Sequence, residues 1–157
     1  VQGDQPFLDP VVITEMATAF ARIDPAPAVI MPVYRLKPDT IHNPAVVKTL
    51  LAHDGRALYF SRSAIPHVRD VPPSEWHQHT DYWGHVGMYG FRGDVLDAWD
   101  QLPTSPLEDL ERLEQLRLIE AGHEIATFSV KGTSLSVDTE AQLVQAREIA
   151  AAESIEK

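Results

Sequence analysis

The sequence has 157 residues, a length that suits one domain with a single hydrophobic core. Its 13 basic and 23 acidic side chains give a net charge of −10, which argues against a general binder of nucleic acid or of anionic membranes. It contains no cysteine, which excludes disulfides and cysteine-based metal or nucleophile sites. We expect a cytoplasmic protein, because no signal peptide and no apolar run of ~18–20 residues is visible.

The N-terminal part of the chain predicts a helix followed by a buried strand. Asp9 and Pro10 suit the N-cap and the first helical position, and an apolar stripe then continues to Phe20. The helix is expected to end near residues 23–25. The apolar run 28–33 lies between prolines and predicts a short strand.

The middle of the chain predicts a β-hairpin and a long loop. Two apolar, β-branched runs, 45–51 and 57–61, flank the turn signal Asp54-Gly55. Residues 63–81 carry several prolines and many polar side chains, which predicts a long loop or arm. A loop of this length without structure of its own is usually functional or mobile.

Four further elements are predicted from local patterns. Residues 83–91 alternate small and large apolar groups and predict one strand, and 94–102 predict a short helix. Residues 125–130 predict another strand. A capping box at Thr139 begins a last helix that is expected to run to about residue 152.

The strongest helix signal begins at Ser105. Serine suits the N-cap, Pro106 suits the first position, and Glu108 can complete a capping box. The apolar spacing predicts a continuous helix to Ala121, with Gly122 at its end. The side chains expected on one face of this helix are Leu107, Leu110, Leu113 and Arg117.

Strands and helices interleave along the chain, with one hairpin in the middle. This order predicts a single α/β domain over residues 1–157, built on a mixed sheet with helices on its faces. Ligands of such sheets bind at the carboxyl ends of strands. Gln2-Gly3-Asp4 and Asp138 both lie where a strand is expected to give way to a helix.

Two aspartates are candidate metal ligands. Asp4 follows a glycine at the end of an expected strand, and a carboxylate there suits Mg²⁺, which prefers hard oxygen ligands together with substrate phosphates. The alternative is a turn aspartate that caps the next helix, and spacing alone favours it. Asp138 carries the same two interpretations.

Two arginines are candidate anion ligands. Arg62 lies just past a predicted strand, where a guanidinium could hold a carboxylate or phosphate with two hydrogen bonds. A surface arginine is the equally weighted alternative. Arg69 lies further into the predicted arm and is the weaker candidate.

Histidines offer another possible site. Zinc is disfavoured, because the pair His77 and His79 has no recognised third-ligand spacing and His67 stands alone in the arm. His85 and Tyr89 share one side of the predicted strand 83–91 and could present two hydrogen-bonding tips. A core histidine and tyrosine with satisfied partners is the rival interpretation.

Glu114 and Gln115 lie within the predicted helix that begins at Ser105. A solvated acidic face is the default interpretation of Glu114. A role in an active site requires the start or flank of this helix to face the strand ends.

Several segments together resemble the 3-deoxy-manno-octulosonate (Kdo) cytidylyltransferase family, also called CMP-Kdo synthetases. They occur in the family's order and at compatible spacing across nearly the whole chain. They are Val1-Gln2-Gly3-Asp4-Gln5-Pro6, Asn43-Pro44 with Val47-Lys48, Ala57 to Arg62 with Ile65-Pro66 and Arg69-Asp70, His85 to Arg92, Ser105 to Glu108 with Leu113 to Arg117, and Val137-Asp138-Thr139.

The resemblance implies a Rossmann-like nucleotide-diphospho-sugar transferase fold and the reaction CTP + Kdo → CMP-Kdo + pyrophosphate, which supplies lipopolysaccharide assembly. It implies that Asp4 and Asp138 bind Mg²⁺ and, with Arg62, form the catalytic set. The residues that it places in the sugar-acid pocket are Gln2, Arg62, Arg69, His85, Tyr89, Glu114 and Gln115. It also implies a homodimer, with the hairpin and the arm as the expected interface.

Some features depart from the family pattern. The basic, glycine-containing loop that holds the CTP phosphates in the family is not found in this sequence, so we expect an N-terminally truncated domain that begins inside the strand ending at Asp4. Residues 66–70 and 131–136 are also altered. Alternatives are therefore a cytidylyltransferase for another sugar acid, such as 8-amino-Kdo or a sialic-acid-like sugar, or a non-catalytic sugar-acid-binding module.

Overall fold

A computed structural model describes residues 1–131, 137 and 140–155. Its five α-helices within those ranges are α1 (Pro10–Arg22), α2 (Gly93–Asp97), α3 (Pro106–Glu111), α4 (Gln115–Glu120) and α5 (Glu140–Ile155). Its strands are β1 (Val29–Arg35), β2 (Lys48–Leu51), β3 (Ala57–Ser61), β4 (Trp83–His85), β5 (Gly90–Phe91) and β6 (Ile125–Ser129). Short 3₁₀ helices cover Pro38–Thr40, Pro73–Gln78 and Trp99–Gln101.

The six described strands form one mixed sheet in the order β4-β2-β3-β6-β1-β5. The β1–β6 pair is parallel and the other pairs are antiparallel. β4 pairs with β1 as well as with β2, which curls the sheet on itself. The predicted mixed α/β sheet is thus confirmed.

The main hydrophobic core lies between the sheet and the α3–α4 region. β1 is buried along most of its length. Its side chains pack with Phe60, Leu116, Leu118 and Ile125, each of which is at most 1% exposed. Fully burying side chains of this size stabilises a fold by roughly 1.5–3 kcal/mol each. This core fixes the ends of β1 and β3 against the N-terminus of α4.

Local signals at helix and hairpin ends act as predicted. Asp9 Oδ1 accepts the N–H of Val11 at 2.9 Å and caps α1. Ser105 Oγ accepts the N–H of Glu108 at 3.0 Å and caps α3. Gly55 has a φ of +86° at the hairpin turn, a left-handed conformation that glycine adopts without a steric cost. The first hairpin strand begins at Lys48, later than the predicted 45.

The predicted continuous helix from 106 to 121 is wrong. The structure contains two helices, separated where Arg112 adopts a left-handed φ of +55°. The N–H groups of Arg112 and Leu113 both reach the carbonyl of Glu108, which ends α3. The side chains predicted to share one face of that helix do not share it, because Leu113 is buried while Leu110 is 80% exposed.

The predicted single strand 83–91 is also interrupted. β4 ends at His85 and β5 begins at Gly90, because residues between them form hydrogen bonds that do not continue the strand. The N–H of Val86 donates to Pro32 O at 3.1 Å, and Gly87 O accepts from Gln2 at 2.7 Å. Tertiary contacts therefore override the local alternation.

The segment 63–81, predicted as a long loop or arm, contains one short 3₁₀ helix, Pro73–Gln78. Trp76 lies in the 3₁₀ helix Pro73–Gln78, is 7% exposed, and packs with Leu36, Ile41 and Tyr82. Its indole N–H donates to the carbonyl of Val71 at 2.9 Å. A small second core thus anchors the arm to the chain after β1.

No helix within the described ranges has both the length and the apolar character needed to cross a lipid bilayer.

Candidate active site

One cavity of about 470 Å³ gathers most of the predicted site residues, and we call it the polar cavity. Its walls come from the N-terminal segment, the loop before β2, the end of β3 and the α3–α4 junction. The predicted site residues that line it are Gln2, Asp4, Arg62, His85, Glu114 and Gln115. These positions are widely separated in sequence, and the curled sheet brings them together.

A second cavity of about 410 Å³, the aromatic cavity, is lined by Tyr89, Phe91 and Trp99 together with Arg117. It shares Gln2, Glu114 and Gln115 with the polar cavity. The Arg117 guanidinium lies 5.7 Å from the centre of the Trp99 ring and pairs with Glu108 at 2.6 Å.

The tight contact between Gln2 and Gly87 positions the N-terminal segment. The backbone N–H of Gln2 donates to Gly87 O at 2.7 Å. A Cβ atom on Gly87 would lie 2.2 Å from Gln2 Oε1 and 3.2 Å from Gln2 Cβ. Only glycine allows the Gln2 side chain to occupy this place in the cavity wall.

Replacing Gly87 with alanine is expected to displace the Gln2 side chain at a cost of about 1 kcal/mol in folding free energy, because the closest atom is the end of a flexible side chain. The side-chain amide resonances of Gln2 in an NMR spectrum report the displacement, and urea unfolding reports the stability. Gly93→Ala is the matched control, since a Cβ there meets no heavy atom within 4 Å. Unchanged Gln2 resonances in G87A would contradict this account.

His85 is held as a neutral imidazole at the cavity floor. Its pKa is lowered to about 4, chiefly by burial and in smaller part by Arg62, against the opposing effects of the Val86 carbonyl and Asp4. His85 Nδ1 lies 3.3 Å from Val86 O, and Nε2 lies 3.5 Å from the amide nitrogen of Gln115. Protonation on Nδ1 satisfies both contacts, with Gln115 donating to Nε2.

Tyr89 presents a buried hydroxyl without a hydrogen-bond partner among the described residues. Burial, followed by the charges of Glu114 and Asp4, raises its pKa well above the usual range, so the phenol stays protonated. The Tyr89 and His85 rings are 6.2 Å apart. A buried polar atom left unpaired is costly, so this hydroxyl is suited to a ligand hydroxyl or carboxylate.

Arg62 is held by several hydrogen bonds at the end of β3. Its Nε donates to Glu111 O at 2.9 Å and its Nη1 donates to Pro44 O at 3.1 Å. Its backbone N–H donates to Glu111 Oε2 at 3.0 Å. The side chain is therefore oriented by the loop before β2 and by the end of α3.

The break between α3 and α4 brings Glu114 and Gln115 to the cavities. Gln115 is 3% exposed and contacts His85, whereas Glu114 is exposed and lines both cavities. An active-site role for Glu114 required the start or flank of the predicted helix to face the strand ends. The N-terminus of α4 lies in that position.

Two predicted site residues are not placed in either cavity. Arg69 has an 89% exposed side chain and pairs with Asp70 at 3.0 Å. Asp138 lies outside the described residues. Val137, which precedes it in sequence, donates its N–H to Asp4 O at 2.9 Å.

Sequence reasoning missed several polar residues of the polar cavity, among them Lys37, Asp39 and Arg112. Arg112 was hidden by the interpretation of residues 106–121 as one helix, in which it has no special conformation. Lys37 and Asp39 belong to the turn after β1, and no local pattern distinguishes them from surface residues.

The donor set of the polar cavity suits magnesium. Asp4 contributes a hard carboxylate oxygen, and Mg²⁺ typically uses one or two carboxylates together with substrate phosphates and water. Within residues 1–131, 137 and 140–155 no three His, Cys, Asp or Glu side chains cluster as metal ligands. An all-protein cage is not what this metal requires.

The chain is similar to known proteins over nearly its whole length. A family model described as cytidylyltransferase matches residues 1–125. A 3-deoxy-manno-octulosonate cytidylyltransferase of Chlorobaculum tepidum is 42% identical over 152 residues, which cover 95% of this chain and 59% of the relative. One of Myxococcus xanthus is 41% identical over 138 residues, which cover 88% of this chain and 53% of the relative.

A solved structure agrees with these relatives. It is that of a CMP:2-keto-3-deoxy-manno-octonic acid synthetase complexed with CTP, with a TM-score of 0.85 and 38% sequence identity, and the match covers 98% of this chain and 61% of that one. The chain thus spans about 59% of the length of the Chlorobaculum tepidum relative and 61% of the solved structure, whose fold it shares over the matched part. Because the family model covers most of the sequence and the fold agrees with a solved member, the chain belongs to the cytidylyltransferase family.

Proposed function

We propose that this chain forms the sugar-acid-binding part of an enzyme that transfers CMP from CTP to Kdo and releases pyrophosphate. The observation that carries the proposal is the polar cavity, where Gln2, Asp4, Arg62, His85 and Gln115 converge. The relatives named as Kdo cytidylyltransferases and the neighbour complexed with CTP support the choice of reaction.

The cavity has the chemistry that an acidic, polyhydroxylated sugar requires. Arg62 is suited to the carboxylate, because a guanidinium binds a carboxylate through parallel N–H donors. The amide of Gln115, which donates one N–H to neutral His85, can also donate to and accept from ring hydroxyls. In the adjoining aromatic cavity, the Tyr89 hydroxyl, which has no hydrogen-bond partner among the described residues, supplies one more buried group.

The reaction needs positioning and charge neutralisation more than a covalent enzyme intermediate. The anomeric hydroxyl oxygen of the sugar bonds to the α-phosphorus of CTP, the bond from that phosphorus to the β-phosphate bridging oxygen breaks, and the hydroxyl proton is lost to solvent or base. Sugar and triphosphate are both anions, and Arg62 reduces the repulsion between them by holding the carboxylate. Orienting two bound reactants in this way can supply a large part of a rate enhancement.

We further propose that Asp4 and Asp138 hold Mg²⁺, which would neutralise the phosphates and orient the α-phosphate for attack. The place of Asp4 in the polar cavity, and the hydrogen bond from Val137 to its carbonyl, support this assignment. We also propose the cytoplasmic location that was expected from the sequence. The homodimer, with the hairpin and arm 63–81 at the interface, is a proposal that rests on the family resemblance.

The proposed function is tested in the protein as its gene encodes it, by following pyrophosphate release from CTP and Mg²⁺ in the presence of Kdo. We expect turnover with Kdo that exceeds turnover with 8-amino-Kdo and with neuraminic acid. A preference for 8-amino-Kdo or neuraminic acid would mean that this related acid, and not Kdo, is the substrate. Sugar binding in calorimetry without any turnover would instead indicate a non-catalytic binding module, and neither turnover nor binding with any of the three acids would refute the proposal.

A further inference from the structure

Lys48 is a charged side chain in the interior of the sheet. It is the first residue of β2, it is 0% exposed, and it pairs with Ser61 on one side and Gly84 on the other. Its ammonium donates to Asn43 O at 2.9 Å, to Val46 O at 2.7 Å, and to Arg62 O. All three of its N–H donors are therefore used on backbone carbonyls.

A buried charge of this kind is costly and persists only where it is well compensated. The pKa of Lys48 is lowered to about 8, chiefly by burial and in smaller part by Arg62, while Glu111 opposes the shift. The side chain is still an ammonium at pH 7, and only this form has three hydrogens for three carbonyls. The ammonium ties the loop 43–47 to the end of β3.

Glu111 makes the complementary connection from the other side. Its carboxylate accepts the hydroxyl of Ser61 at 2.6 Å and the backbone N–H of Arg62 at 3.0 Å. Its own carbonyl accepts Arg62 Nε at 2.9 Å. Glu111 is the last residue of α3, so these bonds tie the end of β3 to the α3–α4 junction that carries Glu114 and Gln115.

Together the two residues hold both backbone polar groups of Arg62, since Lys48 binds its carbonyl and Glu111 binds its N–H. The guanidinium is held as well, through Nε on Glu111 O and Nη1 on Pro44 O. Nη2 makes no hydrogen bond to the part of the chain that the structure describes, and Arg62 lines the polar cavity. The guanidinium thus lies in the cavity wall with its Nη2 donors available to a ligand.

We infer that Lys48 and Glu111 are a pair of positioning residues that fix Arg62 for recognition of the substrate carboxylate. The inference rests on the proposed function, in which Arg62 binds that carboxylate. Neither residue needs to touch the sugar. Their effect on binding passes through Arg62, whereas a merely structural role would act on stability alone.

The test uses Lys48→Met, which keeps an unbranched side chain, one atom shorter and without the donors, and Glu111→Gln, which turns one acceptor oxygen into a donor. Glu120→Gln is the matched control. Glu120 also accepts a serine hydroxyl, that of Ser105, and a backbone N–H, that of Leu107, but it lines neither cavity. Urea unfolding of every variant separates folding from binding, and E111Q serves if K48M does not fold.

Calorimetry with Kdo provides the first readout. We expect the Kd for Kdo to rise about tenfold or more in K48M and E111Q, the Kd for CTP to stay unchanged, and E120Q to bind Kdo like the wild type. The same substitutions are then made in an Arg62→Met background. If the two residues act through Arg62, they add no further loss of Kdo affinity there. Full additivity of the losses would overturn the inference.

A second readout does not depend on the ligand. The Arg62 Nε–H signal in a ¹H–¹⁵N spectrum is expected to exchange slowly in the wild type and in E120Q, and to lose protection in K48M and E111Q. Retained protection in both variants overturns the inference even if Kdo binds. Conversely, a wild type that neither turns over nor binds any of the three sugar acids refutes the proposed function, while the Arg62 signal still decides whether Lys48 and Glu111 hold the guanidinium.

Discussion

Replacing Asp4 with asparagine is expected to lower the rate of pyrophosphate release from CTP and Kdo by about a thousandfold. Asparagine keeps the shape of the side chain and removes the negative charge that the proposed Mg²⁺ site requires. Charge stabilisation by a catalytic metal contributes several kcal/mol, and each 1.36 kcal/mol corresponds to about a factor of ten in rate. The measurement is the rate of pyrophosphate release over a range of Mg²⁺ concentrations.

Asp39→Asn is the matched control for Asp4→Asn. Asp39 also lines the polar cavity, but it is an exposed residue of the turn after β1. We expect D39N to keep the Mg²⁺ dependence of the wild type and most of its rate. Equal losses in the two variants would mean that the cavity needs negative charge in general and would remove the special role proposed for Asp4. A D4N protein with the rate of the wild type would contradict the metal site directly.

The free energy of unfolding is expected to fall between pH 6.5 and pH 4 by up to about 3 kcal/mol through His85 alone. In the unfolded chain this histidine gains its proton near the ordinary pKa of about 6.5. In the folded chain its pKa is lowered to about 4, chiefly by burial. Between these values the unfolded state binds more protons, so acid stabilises the unfolded state and the stability present at neutral pH is progressively lost.

Urea unfolding of the wild type and of His85→Gln at pH 7, 6, 5 and 4 isolates this contribution. Glutamine keeps hydrogen-bonding capacity at similar volume and does not titrate, whereas the carboxylates titrate in both proteins and cancel in the difference. We expect H85Q to be less stable than the wild type at pH 7 and to lose less stability on acidification. Parallel pH profiles would show that His85 is not held neutral in the fold.

Elements that depend on neighbouring residues could be predicted from the sequence. The caps at Asp9 and Ser105 and the turn at Gly55 are local, because each rests on a side-chain oxygen or on a backbone conformation within a few positions. The alternation of predicted strands and helices along the chain was enough to predict a mixed α/β sheet. The family resemblance added the expected roles of individual residues, which no local pattern can supply.

Breaks within elements could not be predicted, because their causes lie far away in sequence. α3 ends where the carboxylate of Glu111 meets Ser61 and the backbone N–H of Arg62, partners 50 and 49 positions away. The strand predicted for 83–91 is interrupted where the carbonyl of Gly87 accepts a hydrogen bond from the N–H of Gln2. In both places a tertiary hydrogen bond outweighs a local preference that amounts to a few tenths of a kcal/mol per residue.

Lys48 is the clearest example of a residue whose place in the structure local sequence does not predict. A lysine is ordinarily a solvated residue, and the apolar run 45–51 that contains Lys48 does not identify its partners. The tertiary structure surrounds its ammonium with carbonyls from two segments and places it behind Arg62. The sequence by itself determined the fold class, the helix caps and the residue types available for an acidic sugar. Only the tertiary structure decided which of them meet, because the curled sheet brings Gln2, Arg62, His85 and Gln115 to one cavity.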